Sequence, residues 1–188
     1  MPILFVAAVW LARFAAGAEV DLHGSARVAS KPQAEVVVWL DARGLSRWPT
    51  QQHPVLDQRD LHFAPRVLAL EVGTTVEFPN HDRVFHNVFS FRDGKRFDLG
   101  LYPIGAVKHV VFDKPGVSRI FCNIHPHMAA YVVAVDSSLF TVSGDDGSFT
   151  LHGVPEGTYT YHAWRAGAAP LTGTVTTQAG TPLDLEWP

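Results

Sequence analysis

The stretch Phe121-Cys122-Asn123-Ile124-His125-Pro126-His127-Met128 places a thiol, an imidazole and a thioether in one short loop, and Cys122 is the only cysteine of the 188-residue chain. Such soft and intermediate donors suit copper far better than magnesium or calcium, which take oxygen. A second imidazole must come from elsewhere, and Phe85-His86-Asn87-Val88-Phe89 offers one between two apolar runs. His86, Cys122, His125 and Met128 together make up a His2Cys set with a weak axial thioether, the donor pattern of electron-transfer copper. A bland alternative is a buried core cysteine, a common fate for a free thiol, with His125 and Met128 as packing. A third reading makes Cys122 a nucleophile with His125 as its base, but no orienting group is apparent and Met128 is left without a role.

Ligands drawn from two distant segments need a rigid frame beneath them. The chain is long enough to bury a core and to form one or two domains. Short runs of Val, Phe, Thr and Tyr, broken by 15 Gly and 13 Pro, read as all-β. A formal net charge of −3, with no basic cluster among aromatics, points away from nucleic acid.

Residues 1–18 differ from the rest. Ile3 to Leu11 is apolar but too short to span a bilayer as a helix, and Ala16-Gly17-Ala18 forms a small-x-small cleavage motif. The expectation is a signal peptide, export to the periplasm, and no membrane span once the signal is removed. An uncleaved anchor or a buried first strand is the alternative.

From Glu19 the pattern alternates through Val20, Leu22, Ala26 and Val28, a half-buried strand. A turn is expected at Lys31-Pro32-Gln33, then a nearly continuous apolar strand from Glu35 to Leu40. Residues 41–54 lose the pattern and read as a linker. Val67–Val72, a tight turn at Gly73 and Thr75–Phe78 follow as strand, turn, strand. Pro79 to Arg83 breaks the pattern, so His86 is expected to begin a strand to Phe91. Further strands are expected at Val107–Phe112, Val117–Cys122 and Ala129–Val135, with a turn at Asp113-Lys114-Pro115-Gly116. Beyond residue 137, Phe140–Val142 and Ser148–Leu151 flank Ser143-Gly144-Asp145-Asp146-Gly147, a hairpin signal. Thr158–Trp164 alternates cleanly, and weaker strands follow near 173–177 and 183–187.

The Cys-x-x-His-x-x-Met spacing with Pro126, and the approach Val76-Glu77-Phe78-Pro79-Asn80 before His86-Asn87-Val88, resemble the cupredoxin (blue copper) family, in its amicyanin and plastocyanin-like branch. That likeness covers roughly residues 55 to 136. The tail resembles the carboxypeptidase regulatory-like (prealbumin-like) β-sandwich through Asp146-Gly147-Ser148-Phe149 and Val154-Pro155-Glu156-Gly157-Thr158-Tyr159. It lacks that unit's first two strands, which residues 19–42 look like.

The resemblances imply a cupredoxin Greek-key β-sandwich plus a second, smaller prealbumin-like sandwich. The expected boundaries are 1–18 for the signal, 19–50 and 137–188 for the divided smaller sandwich, and 51–136 for the inserted cupredoxin. Two adjacent independent domains with a loose N-terminal hairpin remain open, although a lone hairpin is marginal in water. They further imply one copper ion cycling between Cu(II) and Cu(I), held by His86, Cys122, His125 and Met128. Asn87 would tie the ligand segments together by bonding the backbone near Asn123. His125, with its ring edge near the surface and Pro126 beside it, would be the port for a redox partner protein. The expected function is one-electron transfer rather than enzymatic catalysis, with copper storage, delivery or sensing as the alternative.

Other candidates were weaker. His81 and His127 could add a copper contact or be solvated loop residues, and the chain has 10 histidines in all. Asp145-Asp146 lacks the spacing and closing Glu of a calcium loop. Trp164, Tyr159 and Tyr161 could form a carbohydrate platform or one packed face of a sandwich.

Overall fold

The computed structural model describes residues 18–42, 53–91, 93–178 and 180–188. The expected export segment up to residue 17 and most of the expected linker lie outside these. The described residues form seventeen strands and no helix. In chain order these are β1 (Glu19–Val28), β2 (Lys31–Pro32), β3 (Val37–Leu40), β4 (Asp57–Arg59), β5 (His62–Ala64), β6 (Val67–Glu71), β7 (Thr75–Pro79), β8 (His86–Ser90) and β9 (Phe97–Tyr102). They continue as β10 (Val107–Val111), β11 (Gly116–Phe121), β12 (Ala129–Val135), β13 (Phe140–Val142), β14 (Ser148–Pro155), β15 (Gly157–Trp164), β16 (Leu171–Thr177) and β17 (Leu183–Trp187).

Two layered bodies result. In the first, a five-stranded sheet in the order β6-β12-β11-β8-β9 packs on the β10-β7 pair. Residues 54–58 run alongside β7, with Leu56 N donating to Glu77 O at 2.9 Å and His81 N to Gln58 O at 3.0 Å. Leu56, Phe78, Val88, Phe112, Ile120 and Val132 fill the space between, each fully buried. Burial of this kind is the main favourable contribution to holding the layers together.

The second body interleaves the two ends of the chain. β1 lies between β14 and β17, pairing antiparallel with the first and parallel with the second, and β3 lies between β13 and β15. Leu22, Ala26, Val38, Leu151, Leu185 and Trp187 form its apolar core. Gly24 stands where β1 passes beneath the Phe149 ring and the Leu183 carbonyl, and a Cβ there would overlap both. The two bodies share a smaller apolar seam of Val37, Val67, Val133 and Val135, flanked by Trp39, Tyr131 and Trp164. The Tyr131 and Trp164 rings meet across it at 5.2 Å.

Two local expectations give way to the observed pairing, one turn holds without making a hairpin, and one hairpin was not expected. The first turn falls at Ala29-Ser30, with φ of 47° and 64°, and Lys31–Pro32 pairs back onto Arg27 and Val28. Two positive-φ residues match the right-handed twist of a two-residue hairpin, which places the turn ahead of the proline. The chain does turn at Gly73, but β6 pairs with β12 and β7 with β10, so it crosses between layers and makes no hairpin. The 143–147 turn likewise sends β13 to β3 and β14 to β1. Its backbone is tied by Ser143 N to Val36 O at 2.9 Å and Gly144 N to Ser148 O at 2.9 Å. Finally, β4 and β5 form a hairpin about Asp60-Leu61 that sequence alternation did not mark.

Candidate metal centre

The centre is assembled from a hairpin loop and the start of a neighbouring strand. β11 and β12 pair antiparallel up to Phe121 opposite Ala129. Cys122 and Met128 are therefore the next facing pair, and strand alternation turns both inward. They are 4% and 1% exposed, whereas Phe121 and Ala129 are half-buried on the other face. Backbone bonds close the loop, from Met128 N to His125 O at 2.9 Å and from Cys122 N to Met128 O at 3.4 Å.

The second imidazole arrives because β8 lies beside β11, with Phe89 opposite Phe121. Three residues earlier, His86 opens β8 opposite Tyr102 of β9 and is wholly buried. The outcome is a tight cluster. His86 Nδ1 lies 3.0 Å from His125 Nδ1, and Cys122 Sγ lies 3.9 Å and 3.7 Å from those two nitrogens. Among the described residues this is the one group of three such donors, all within 4.8 Å of one another. Ligands of one first-row ion sit about 3.3–3.8 Å apart when each is 2.0–2.3 Å from the metal, and the observed separations of 3.0, 3.7 and 3.9 Å lie within about 0.3 Å of that range. The donor chemistry, thiol with two imidazoles and a buried thioether close by in sequence, is that of copper. His125 is partly exposed while His86 is sealed in.

Asp82 completes the cluster and was not singled out from sequence. Its Oδ2 lies 3.0 Å from His86 Nε2 and also accepts the Leu61 N–H at 2.7 Å, while Oδ1 accepts the Arg83 N–H at 2.8 Å. A carboxylate there fixes the His86 proton on Nε2 and leaves the Nδ1 lone pair for the cluster. Burial on its own would raise the Asp82 carboxyl, but the Leu61, Arg83 and His86 donors outweigh it and hold the group below its usual range. A carboxylate four residues before the histidine, inside the irregular Pro79–Arg83 turn, was the only available signal. For His125, burial first and then the neighbouring His86 and His127 hold its imidazole below the usual value. It therefore tends to be neutral, the form that binds metal.

Beneath the centre, Gln58 is fully buried, and its Nε2 donates to Pro79 O and the Tyr102 hydroxyl. Tyr102 donates onward to Phe78 O at 3.1 Å. Burial, with the nearby Cys122 adding to it, drives the Tyr102 phenol well above its ordinary range, so it stays a neutral donor. Asn87 is buried beside the loop, but its Oδ1 accepts no hydrogen bond, so that oxygen makes no tie to the Asn123 backbone. His81 and His127 are exposed, and His81 Nδ1 bonds Asp57 Oδ1 at 2.8 Å. Asp146 caps its own turn by accepting from Ser148 N at 2.9 Å. Tyr159 and Tyr161 pack against the core of the second body.

No family profile matches the chain, and no curated protein does. Solved structures do. A purple cupredoxin from Nitrosopumilus maritimus is 26% identical, with a TM-score of 0.40 over 44% of this chain and 99% of that one. A copper-containing nitrite reductase from Thermus scotoductus is 26% identical, with a TM-score of 0.44 over 46% of this chain and 23% of that one. Amicyanin from Paracoccus versutus is 21% identical, with a TM-score of 0.41 over 46% of this chain and 84% of that one.

Proposed function

We propose that this chain is an exported copper protein that carries single electrons, holding one ion with His86, Cys122, His125 and Met128. The observation that carries the reading is the convergence of three donors of the right kinds from two distant segments, at 3.0, 3.7 and 3.9 Å. A copper ion bound there would supply one-electron chemistry between Cu(II) and Cu(I). The protein's own part is to keep its donors still. Asp82 holds the His86 ring, the β11–β12 hairpin fixes Cys122 opposite Met128, and both sulfur-bearing side chains belong to the buried apolar core. Donors that hold one arrangement in both oxidation states make little demand for reorganisation.

His125, the partly exposed imidazole, is the port through which an electron leaves. Val84 and Phe85, just before His86, and Ile124, just before His125, are exposed apolar side chains suited to brief docking of a redox partner near Pro126. We assign 51–136 to the copper-binding body and 19–50 with 137–188 to a carboxypeptidase regulatory-like sandwich, and place the protein in the periplasm after removal of residues 1–18. The test is an absorption and paramagnetic-resonance spectrum of the copper-loaded protein with metal analysis. One copper per chain, an intense sulfur-to-copper band and reversible cycling are expected. A colourless protein that exchanges Cu(I) readily would point to delivery instead.

A further inference from the structure

Most described histidines are committed to a carboxylate. His53 and His109 share Glu77, and His81, His86, His152 and His162 pair with Asp57, Asp82, Asp21 and Asp41. His23, which bonds the Thr150 hydroxyl, and His62, His127 and His125 have no such partner among the described residues, and the last three are successive neighbours. The ring centres of His62 and His127 are 6.2 Å apart, those of His127 and His125 are 6.4 Å apart, and those of His125 and His86 are 4.8 Å apart. Two imidazoles on one ion, each bonded at 2.0–2.1 Å, have ring centres roughly 5–6.5 Å apart.

His62 is also prepared as a donor. Its Nδ1 lies 2.7 Å from the Asp60 carbonyl, a pure acceptor, so the ring proton sits on Nδ1 and the Nε2 lone pair is free. Metal-binding histidines are commonly oriented by this kind of bond. Both His62 and His127 are exposed, and the adjacent Arg59 is paired with Asp57 at 3.4 Å, which blunts its repulsion of a cation.

We propose that His62 and His127 form an outer copper-capture site, from which the ion passes inward by exchange of imidazole ligands. The inference rests on the buried copper centre described above. An ion shared by His62 and His127 exchanges His62 for His125, then His127 for His86 and Cys122. The Cys122 thiol releases its proton to solvent as the sulfur binds, and no electron moves. His127 serves as the hinge of this transfer because it lies on the ligand loop itself, between His125 and Met128.

Two measurements test this on the full-length protein. In a Cys122→Ser/His86→Gln background, which removes two of the four inner donors and leaves His125 and Met128, titration with Cu(II) should give one ion with imidazole nitrogen couplings. Adding His62→Gln should weaken that binding at least about tenfold, the scale on which even outer contacts act. In the otherwise intact apoprotein, His62→Gln should slow the development of colour with dilute Cu(II) by a similar factor. The final copper content and circular dichroism should not change. Unaltered affinity in the first experiment, or an unaltered uptake rate in the second, overturns the proposal. A wild-type protein that never develops colour, beside a double variant that still binds Cu(II) through His62, would instead sink the buried centre and keep the outer site.

Discussion

The two bodies of this molecule bury different things. Among the described residues nine polar side chains are buried, and Gln58, Asn80, His86, Asn87, Ser90 and Ser118 lie in the ligand-bearing body. The flanking sandwich contains Ser137, Ser143 and Thr177. The buried atoms with no hydrogen-bond partner divide in the same way, with Gln58 Oε1, Asn87 Oδ1 and Ser90 Oγ on the ligand side and Arg165 Nε on the other. Buried polar groups are costly unless satisfied, and they persist where a unique arrangement is needed. The comparison separates a core organised for position from one organised for cohesion.

The largest effect that would sharpen this contrast is Cys122→Ser. It should abolish tight copper binding and visible colour while circular dichroism and the apoprotein melting profile change little, since the apolar layers do not need the ion. Colour that survives would remove Cys122 from the ligand set. The matching change on the other side is Trp187→Ala, which empties a 3%-exposed site and deletes the indole bond to Ala169 O. It should cost about 3–5 kcal/mol by denaturant unfolding and leave the copper spectrum unaltered. A large spectral change would mean that the seam of Val37, Val67 and Val133 couples the bodies more tightly than their separate cores suggest.

Asp82→Asn keeps the shape but removes the charge that orients His86. Copper binding should weaken about 10–100-fold by competition with a chelator, with the fold retained. An unaltered affinity would make the carboxylate merely a turn cap for Leu61 and Arg83. Met128→Leu should retain the ion and move the reduction potential upward, because a weak donor to Cu(II) is lost. An unchanged potential would demote Met128 to core packing.

The smallest effect is with pH. Because the folded state holds the His125 imidazole below its ordinary value of about 6.5, the unfolded chain takes up the proton more readily. The contribution to apoprotein stability is present above about pH 6.5 and is lost as pH falls toward the lowered folded value. Hydrogen exchange should find that loss in the ligand-bearing body. Equal loss in the β14-β1-β17 sheet would erase the distinction.

Much of the metal cluster was legible because ligand identity and order are one-dimensional facts. Cys122, His125 and Met128 fall at the tip of a strand-loop-strand pattern whose alternation can be read directly. Strand partners were less legible. The turns at Gly73 and 143–147 look like hairpin turns locally, and only packing decides that the strands they join belong to different layers. The β4–β5 hairpin was hidden because its fully buried positions include Gln58, a polar residue that spoils the apolar alternation. Ala29-Ser30 adopts positive φ without glycine, so composition gave no sign of it. Asp82 was missed for a different reason, since its partner is reached across an irregular turn where no periodicity applies.

The parallel seating of β17 against β1 affects the order in which a nascent chain can close. Ser25 and Asp184, joined across that pairing at 2.6 Å, are 159 positions apart. During N-to-C emergence, β1 therefore waits with its hydrogen-bonding edges bare, except where β2 pairs with Arg27 and Val28, while every strand of the ligand-bearing body appears. An uncovered edge is a template for pairing with a second molecule. Chaperone dependence should therefore track residues 19–28, whose buried side chains belong to the other core from the candidate ligands.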